Sequence, residues 1–145
     1  MVTDDCIFCK IANGEIPCHK VYEDDEVLAF LDVGPVSTGH TLVIPKAHFN
    51  TFDQCPGGVL AKISACAGKI AGAVAEATDA EGYNVLCNNG RAAGQLVEHV
   101  HFHIIPRTSG DRMLSGCPAG EYEQGRAEQV AQQIRQKLED RAKIS

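Results

Sequence analysis

Apolar residues recur along this chain with two different periods, and the change of period separates strands from helices. In Val27-Leu28-Ala29-Phe30-Leu31-Asp32, Val27, Ala29 and Leu31 share one face of a strand while Leu28, Phe30 and Asp32 share the other. Val21-Tyr22-Glu23 precedes it across the acidic turn Asp24-Asp25, and Gly39 to Pro45 reads as a third, largely buried strand closed by proline. The spacing then lengthens. Val59, Leu60, Ile63, Ala67, Ile70 and Val74 fall at helical intervals and predict a long central helix with one inward face. Gly68 and Gly72 each cost that helix about 1 kcal/mol relative to alanine, so they predict close approach by another backbone, within the protomer or across a dimer. Tyr83 to Asn88 is a fourth strand, Asn89 to Gly94 a glycine-containing loop, and Leu96 to Pro106 a fifth strand. A short helix over Cys6 to Ala12 is stopped by Asn13-Gly14. Beyond Glu121 a last amphipathic helix turns Ala127, Val130, Ala131, Ile134 and Leu138 inward. Strands joined by short turns, with the helices segregated from them, predict an α+β domain around an antiparallel sheet.

Composition narrows the function. At 145 residues the chain is expected to fold as a single domain, 1–145. A formal charge of -6 opposes broad electrostatic capture of DNA or RNA, so no nucleic-acid partner is expected. Small anions remain open, since backbone N–H groups and imidazoles hold phosphate without net positive charge. No apolar run approaches the ~18 residues that span a bilayer. Met1-Val2-Thr3-Asp4-Asp5 also lacks the basic-then-apolar layout of a signal peptide. A cytoplasmic protein without a membrane partner is expected. Seven cysteines is an odd count, and only Cys6 and Cys9 are closely spaced. Reduced thiols fit better than a disulfide scaffold. The Cys6-x-x-Cys9 pair is either a redox pair or half of a metal site.

The run His99-Val100-His101-Phe102-His103 carries the chemistry. On a strand, the three histidines occupy one face and Val100, Phe102 and Ile104 the other. The apolar face explains packing; the histidine face needs another reason. It is a solvated polar face, a three-histidine metal site, or a catalytic row, since imidazole titrates near neutrality and serves as nucleophile, acid or base. Gly90 and Gly94 just ahead of it permit backbone geometry that brings N–H groups close to a phosphate.

His99-Val100-His101-Phe102-His103-Ile104-Ile105 resembles the signature of the histidine-triad (HIT) family. So do Cys6-Ile7-Phe8-Cys9-Lys10-Ile11, Gly14-Glu15-Ile16-Pro17, Leu28-Ala29-Phe30-Leu31-Asp32, Gly39 to Lys46 and Gly94-Gln95, in order. The resemblance covers about Cys6 to Arg107, leaving a C-terminal helical extension over about 119–143. It implies a HIT-like fold with an about five-stranded antiparallel sheet, a short N-terminal helix, a long central helix and a C-terminal one. It also implies a nucleotide hydrolase acting at an α-phosphate of dinucleoside polyphosphates or nucleoside phosphoramidates, and a homodimer.

By the same resemblance, His101 forms a nucleotidyl-histidine intermediate, His103 holds phosphate oxygens and assists the leaving group, and His40 backs them. Asp32 takes the ribose; Ile7, Phe8, Ile11 and Phe30 wall a base pocket for a purine; Asn88, Gly94 and Gln95 lie along the phosphate region. A zinc-bearing branch of the family implies structural Zn2+ on Cys6, Cys9, His48 and His99. One departure stands out: many relatives place Ser or Thr after Gly-Gln, and this chain has Leu96. That keeps two alternatives open, a nucleotidyl transferase and a nucleotide- and zinc-binding module of low activity.

Overall fold

Five strands pair in the order β1-β2-β3-β5-β4, every neighbouring pair antiparallel. They are β1 (Lys20–Glu23), β2 (Val27–Leu31), β3 (Thr41–Pro45), β4 (Gly82–Leu86) and β5 (Phe102–Arg107), with helices α1 (Ile7–Ala12), α2 (Gly57–Ala77) and α3 (Arg126–Ile144). This is the expected α+β architecture. The structure is a computed structural model and describes residues 3–113 and 119–144; Cys117 lies outside them. The chain divides into two compact units, Met1–Met113 and Leu114–Ser145.

In the first unit the period-two alternation of β2 becomes two separate cores. Val27 and Ala29 join Val43, Phe102 and Ile104 beneath Ile63, Ala67, Ile70, Ala71 and Val74 of α2. Leu28 and Phe30 join Leu42 and Ile44 on the opposite face, where Phe8 of α1 covers them. Each Val, Leu, Ile or Phe side chain among them, fully buried, contributes about 1.5–3 kcal/mol. By length and composition α2 suffices to cross a membrane, although no unbroken apolar run signals it in the sequence. Its five buried residues face the sheet core.

Three expectations are corrected. The fifth strand starts at Phe102, not Leu96, because the segment before it finds other partners. His99 N–H donates to Val97 O at 2.9 Å and Val100 N–H donates to Phe49 O at 2.7 Å, so the chain turns instead of extending the ladder. Gly68 and Gly72 meet no other backbone within the protomer, where a Cβ built on either has nothing within 4 Å; of the two expected approaches only the one across a dimer is left. In the second unit, α3 has no buried residue, and Ile134 and Leu138 stand 56% and 61% exposed. Its periodicity marks an apolar face without supplying what covers it.

Candidate active site

The histidines are delivered by the residue just before β3, by β5 and by the turn before β5. His103 lies opposite Leu42 in the β3–β5 ladder, and Leu42 lies opposite Phe30, so His103 emerges on the α1 face of the sheet. His40 enters β3 directly after Gly39, whose φ of +92° suits glycine and where a Cβ would sit 2.6 Å from Thr78 Cγ2. His99 and His101 precede β5 and are buried at 0% and 5% exposure. Phe8 packs edge-on against both rings, at 5.9 Å and 5.0 Å between centroids.

Hydrogen bonds fix which nitrogen of each ring carries the proton. A carbonyl only accepts, so the 2.6 Å contact between His101 Nδ1 and the His99 carbonyl places the hydrogen on Nδ1. His101 Nε2 therefore keeps its lone pair. On the neighbouring pair, Val36 N–H donates to His40 Nδ1 at 3.1 Å, which puts the His40 hydrogen on Nε2. That Nε2–H donates to His103 Nδ1 at 2.8 Å, and the His103 hydrogen is pushed to its own Nε2. His103 Nε2 is the one buried side-chain polar atom without a hydrogen-bond partner among the described residues. A lone pair and an unsatisfied donor thus stand on adjacent rings 4.9 Å apart.

Burial draws all three rings toward the neutral form. Burial lowers the pKa of His101. Burial, reinforced by the neighbouring His101 and His40, takes His103 down to about 4. For His40 burial outweighs the opposing pull of Asp32, whose Oδ2 lies 3.7 Å from Nε2.

His101 and His103 line a cavity of about 390 Å³ with Ile7, Phe8, Ile11, Phe30 and Asp32. Gly94 reaches its rim, with a φ of +90° that glycine accepts. Ile16, Pro17, Cys18, Leu31, Val33, Leu42, Leu96 and Val97 line it as well, and the Gly14-Glu15-Ile16-Pro17 stretch was the available signal for the first two. His40 stays behind His103, and Asn88 and Gln95 are not among the lining residues. Gln95, 4% exposed, instead ties the loop together. Its Oε1 accepts from Gly90 N–H at 2.8 Å and its Nε2 donates to Asn50 O and Val97 O. The N–H groups of Gly94 and Gln95 are committed to Arg91 O and Gly90 O within the loop. Asn88 Nδ2 donates to Gly94 O at 3.5 Å.

A second cluster lies beside the first. The ligand atoms of Cys6, Cys9, His48 and His99 all fall within 4.8 Å of one another. His99 Nδ1 is 3.4 Å from Cys6 Sγ and 3.6 Å from Cys9 Sγ, and His48 Nδ1 is 3.4 Å from Cys9 Sγ. Ordinary Zn–S and Zn–N lengths at tetrahedral angles require S···N edges of about 3.5 Å. Here the ring protons sit on the far side: His99 Nε2–H donates to Pro45 O at 2.8 Å and His48 Nε2–H to Asn50 Oδ1 at 2.6 Å. Both Nδ1 lone pairs consequently face the two sulfurs, with outer partners of the kind that orient metal-bound histidines. The outer partners Pro45 O and Asn50, like the Val36 N–H that fixes His40, carry no signal in the sequence. The residues present fit a tetrahedral Cys2His2 zinc.

Residues 13–110 match the model of the HIT domain family. An adenosine 5'-monophosphoramidase of Schizosaccharomyces pombe is 47% identical over 115 residues, 79% of this chain and 84% of its own length. An adenylylsulfatase of Arabidopsis thaliana is 48% identical over 108 residues, 74% of this chain and 55% of its own length. The solved structure of a zinc-bound histidine triad family protein from Mycobacterium smegmatis superposes with a TM-score of 0.72 at 38% identity, covering 86% of each chain.

Proposed function

The chain belongs to the HIT domain family, and from that premise we propose that it hydrolyses nucleotides at the α-phosphate. Nucleoside phosphoramidates are the substrate class, and dinucleoside polyphosphates present the same reacting phosphorus. The observation that carries this reading is the unprotonated His101 Nε2 beside the unpartnered His103 Nε2–H. The named activities of the fission-yeast and plant relatives support it.

In the proposed reaction the His101 Nε2 lone pair bonds to phosphorus. The P–N bond breaks with its electron pair on nitrogen, which takes a proton from water and departs as an amine. Positive charge builds on the His101 ring, and its Nδ1–H bond to the His99 carbonyl strengthens accordingly. His103 Nε2–H donates to a phosphoryl oxygen, held in that tautomer by His40. The hydroxide left by the first step then attacks phosphorus, the bond to His101 breaks, and the nucleoside monophosphate leaves. Asp32 already accepts from Gly34 N–H at 2.9 Å through Oδ1, and its remaining acceptor capacity suits vicinal ribose hydroxyls. Ile7, Phe8, Ile11 and Phe30 enclose a purine base. Gly94 edges the phosphate region, and Asn88 and Gln95 act by fixing its loop.

Zinc on Cys6, Cys9, His48 and His99 is structural in this proposal, since four protein ligands leave no open position. A homodimer is also part of it: β4 ends the sheet and exposes Tyr83 and Val85, a free edge for a second copy. The function is tested by AMP release from adenosine 5'-phosphoramidate and from a diadenosine polyphosphate. The parent should release AMP and the folded His101→Ala variant should not; equal release by both would overturn the proposal.

A further inference from the structure

Along α3 the apolar residues Ala127, Ala131, Ile134 and Leu138 alternate between four-residue and three-residue steps. That is the spacing of a two-helix seam, with Ala127, Ile134 and Arg141 at one core position and Ala131 and Leu138 at the other. A groove of about 320 Å³ runs along the helix itself, lined by Val130, Gln133, Ile134, Lys137, Leu138 and Arg141. No residue of α3 is buried, so the stripe has no cover within the chain. Glu128 and Arg135 border the stripe, both largely exposed, and meet each other at 2.7 Å.

We propose that α3 pairs antiparallel with α3 of a second copy of this chain. In that orientation Ala127 packs against the partner's Leu138 and Ala131 against the partner's Ile134, and the two-fold axis repeats both contacts. Each layer then holds one small and one large side chain, which fills the seam. Charge complementarity singles out the same register. It brings Glu128 beside the partner's Arg135, and Arg135 beside the partner's Glu128. A parallel pair does neither. It stacks alanine on alanine, leaving gaps, and sets Arg141 against the partner's Arg141 inside the seam, a like-charge contact that opposes pairing. The contact lies wholly on α3 and uses neither the histidine cavity nor the β4 edge. It stands independently of the function proposed above.

The test reverses charges in the full chain. Alone, Glu128→Arg places like charges at both ends of the seam, and Arg135→Glu does the same with the opposite sign. Mixed, the two variants restore both opposite-charge contacts between chains, while each chain still lacks its internal Glu128–Arg135 pair. Pairing across the seam is thereby separated from stabilisation of the helix itself. The two variants, one of them labelled with heavy nitrogen, are unfolded together, refolded at equal amounts with zinc present and weighed by native mass spectrometry. Random association makes about half of the two-chain assemblies mixed, the result expected for parent with labelled parent. The variant sample should be about nine-tenths mixed, because four contacts change sign relative to the unmixed pairs, each worth about threefold. The Glu128→Arg/Arg135→Glu double variant should assemble with itself as the parent does. Random mixing of the two variants, a double variant that fails to assemble, or a parent that forms no assembly would overturn the proposal.

Discussion

Two groups of histidines lie side by side in this molecule and present opposite nitrogens. In His48 and His99 the Nε2–H is tied to Asn50 Oδ1 and Pro45 O, so the Nδ1 lone pairs converge on two cysteine sulfurs. In His101 and His103 the Nδ1 atoms are tied, to the His99 carbonyl and to His40, so the Nε2 atoms are the ones left for chemistry, on two residues that line the cavity. The residue type is the same; the partner of the other nitrogen decides between ligand and reagent. His99 joins the groups, offering its ring to one and its carbonyl to the other.

The sharpest way to break that contrast is to remove one member from each side. His101→Ala should lower kcat by about 10⁴-fold in a steady-state assay of AMP release while the chain keeps its fold and the zinc proposed for it. His48→Ala should do the reverse, bringing zinc below about 0.2 per chain by elemental analysis. A weaker perturbation acts on the tautomer alone. His40→Ala removes the donor that fixes His103, and kcat should fall by about 10²-fold with little change in KM. His40→Gln, which restores an N–H donor, should recover part of it; equal losses in the two variants would leave His40 a purely structural role.

Zinc tests the other half. Cys9→Ala should lower the melting temperature by about 10 °C, following about 3 kcal/mol of lost stability in a chain of this size. Chelation of the parent should reproduce the shift, and a chelator-insensitive melting curve would contradict it. The smallest expected effect is in pH. His103 has a folded-state pKa of about 4 against an ordinary value of 6.5. Between those values the unfolded chain binds more protons than the folded one, so stability rises with pH across that window. The contribution is full above 6.5 and is lost as pH falls toward 4. His103→Asn should flatten that part of the pH–stability curve.

The sequence carried the sheet and the central helix, because each rests on a period, and the Cys6-x-x-Cys9 spacing with the family resemblance pointed to Cys6, Cys9, His48 and His99, which lie together. Val27 and Leu28 separated into two cores as their alternation required. The start of β5 was not legible, since Val100 N–H pairs with Phe49 O across a turn that no periodicity records. Gln95 was legible as a landmark, yet its contacts are with backbone groups, those of Gly90 and Val97 beside it and that of Asn50. Tautomers were out of reach of the sequence for the same reason: they are set by Val36 N–H, Pro45 O and His99 O, groups every residue possesses. The exposed apolar face of α3 shows the converse, a strong pattern with no buried residue behind it.

All of this depends on which atom attacks. Rapid mixing with adenosine 5'-phosphoramidate, acid-free quenching and intact-mass spectrometry would read it directly. A transient adduct of one adenylyl group should form on the parent, map to His101 by fragmentation, and be absent from His101→Ala. Release of AMP at the full rate with no adduct, or an adduct that persists without the His101 ring, would contradict the account.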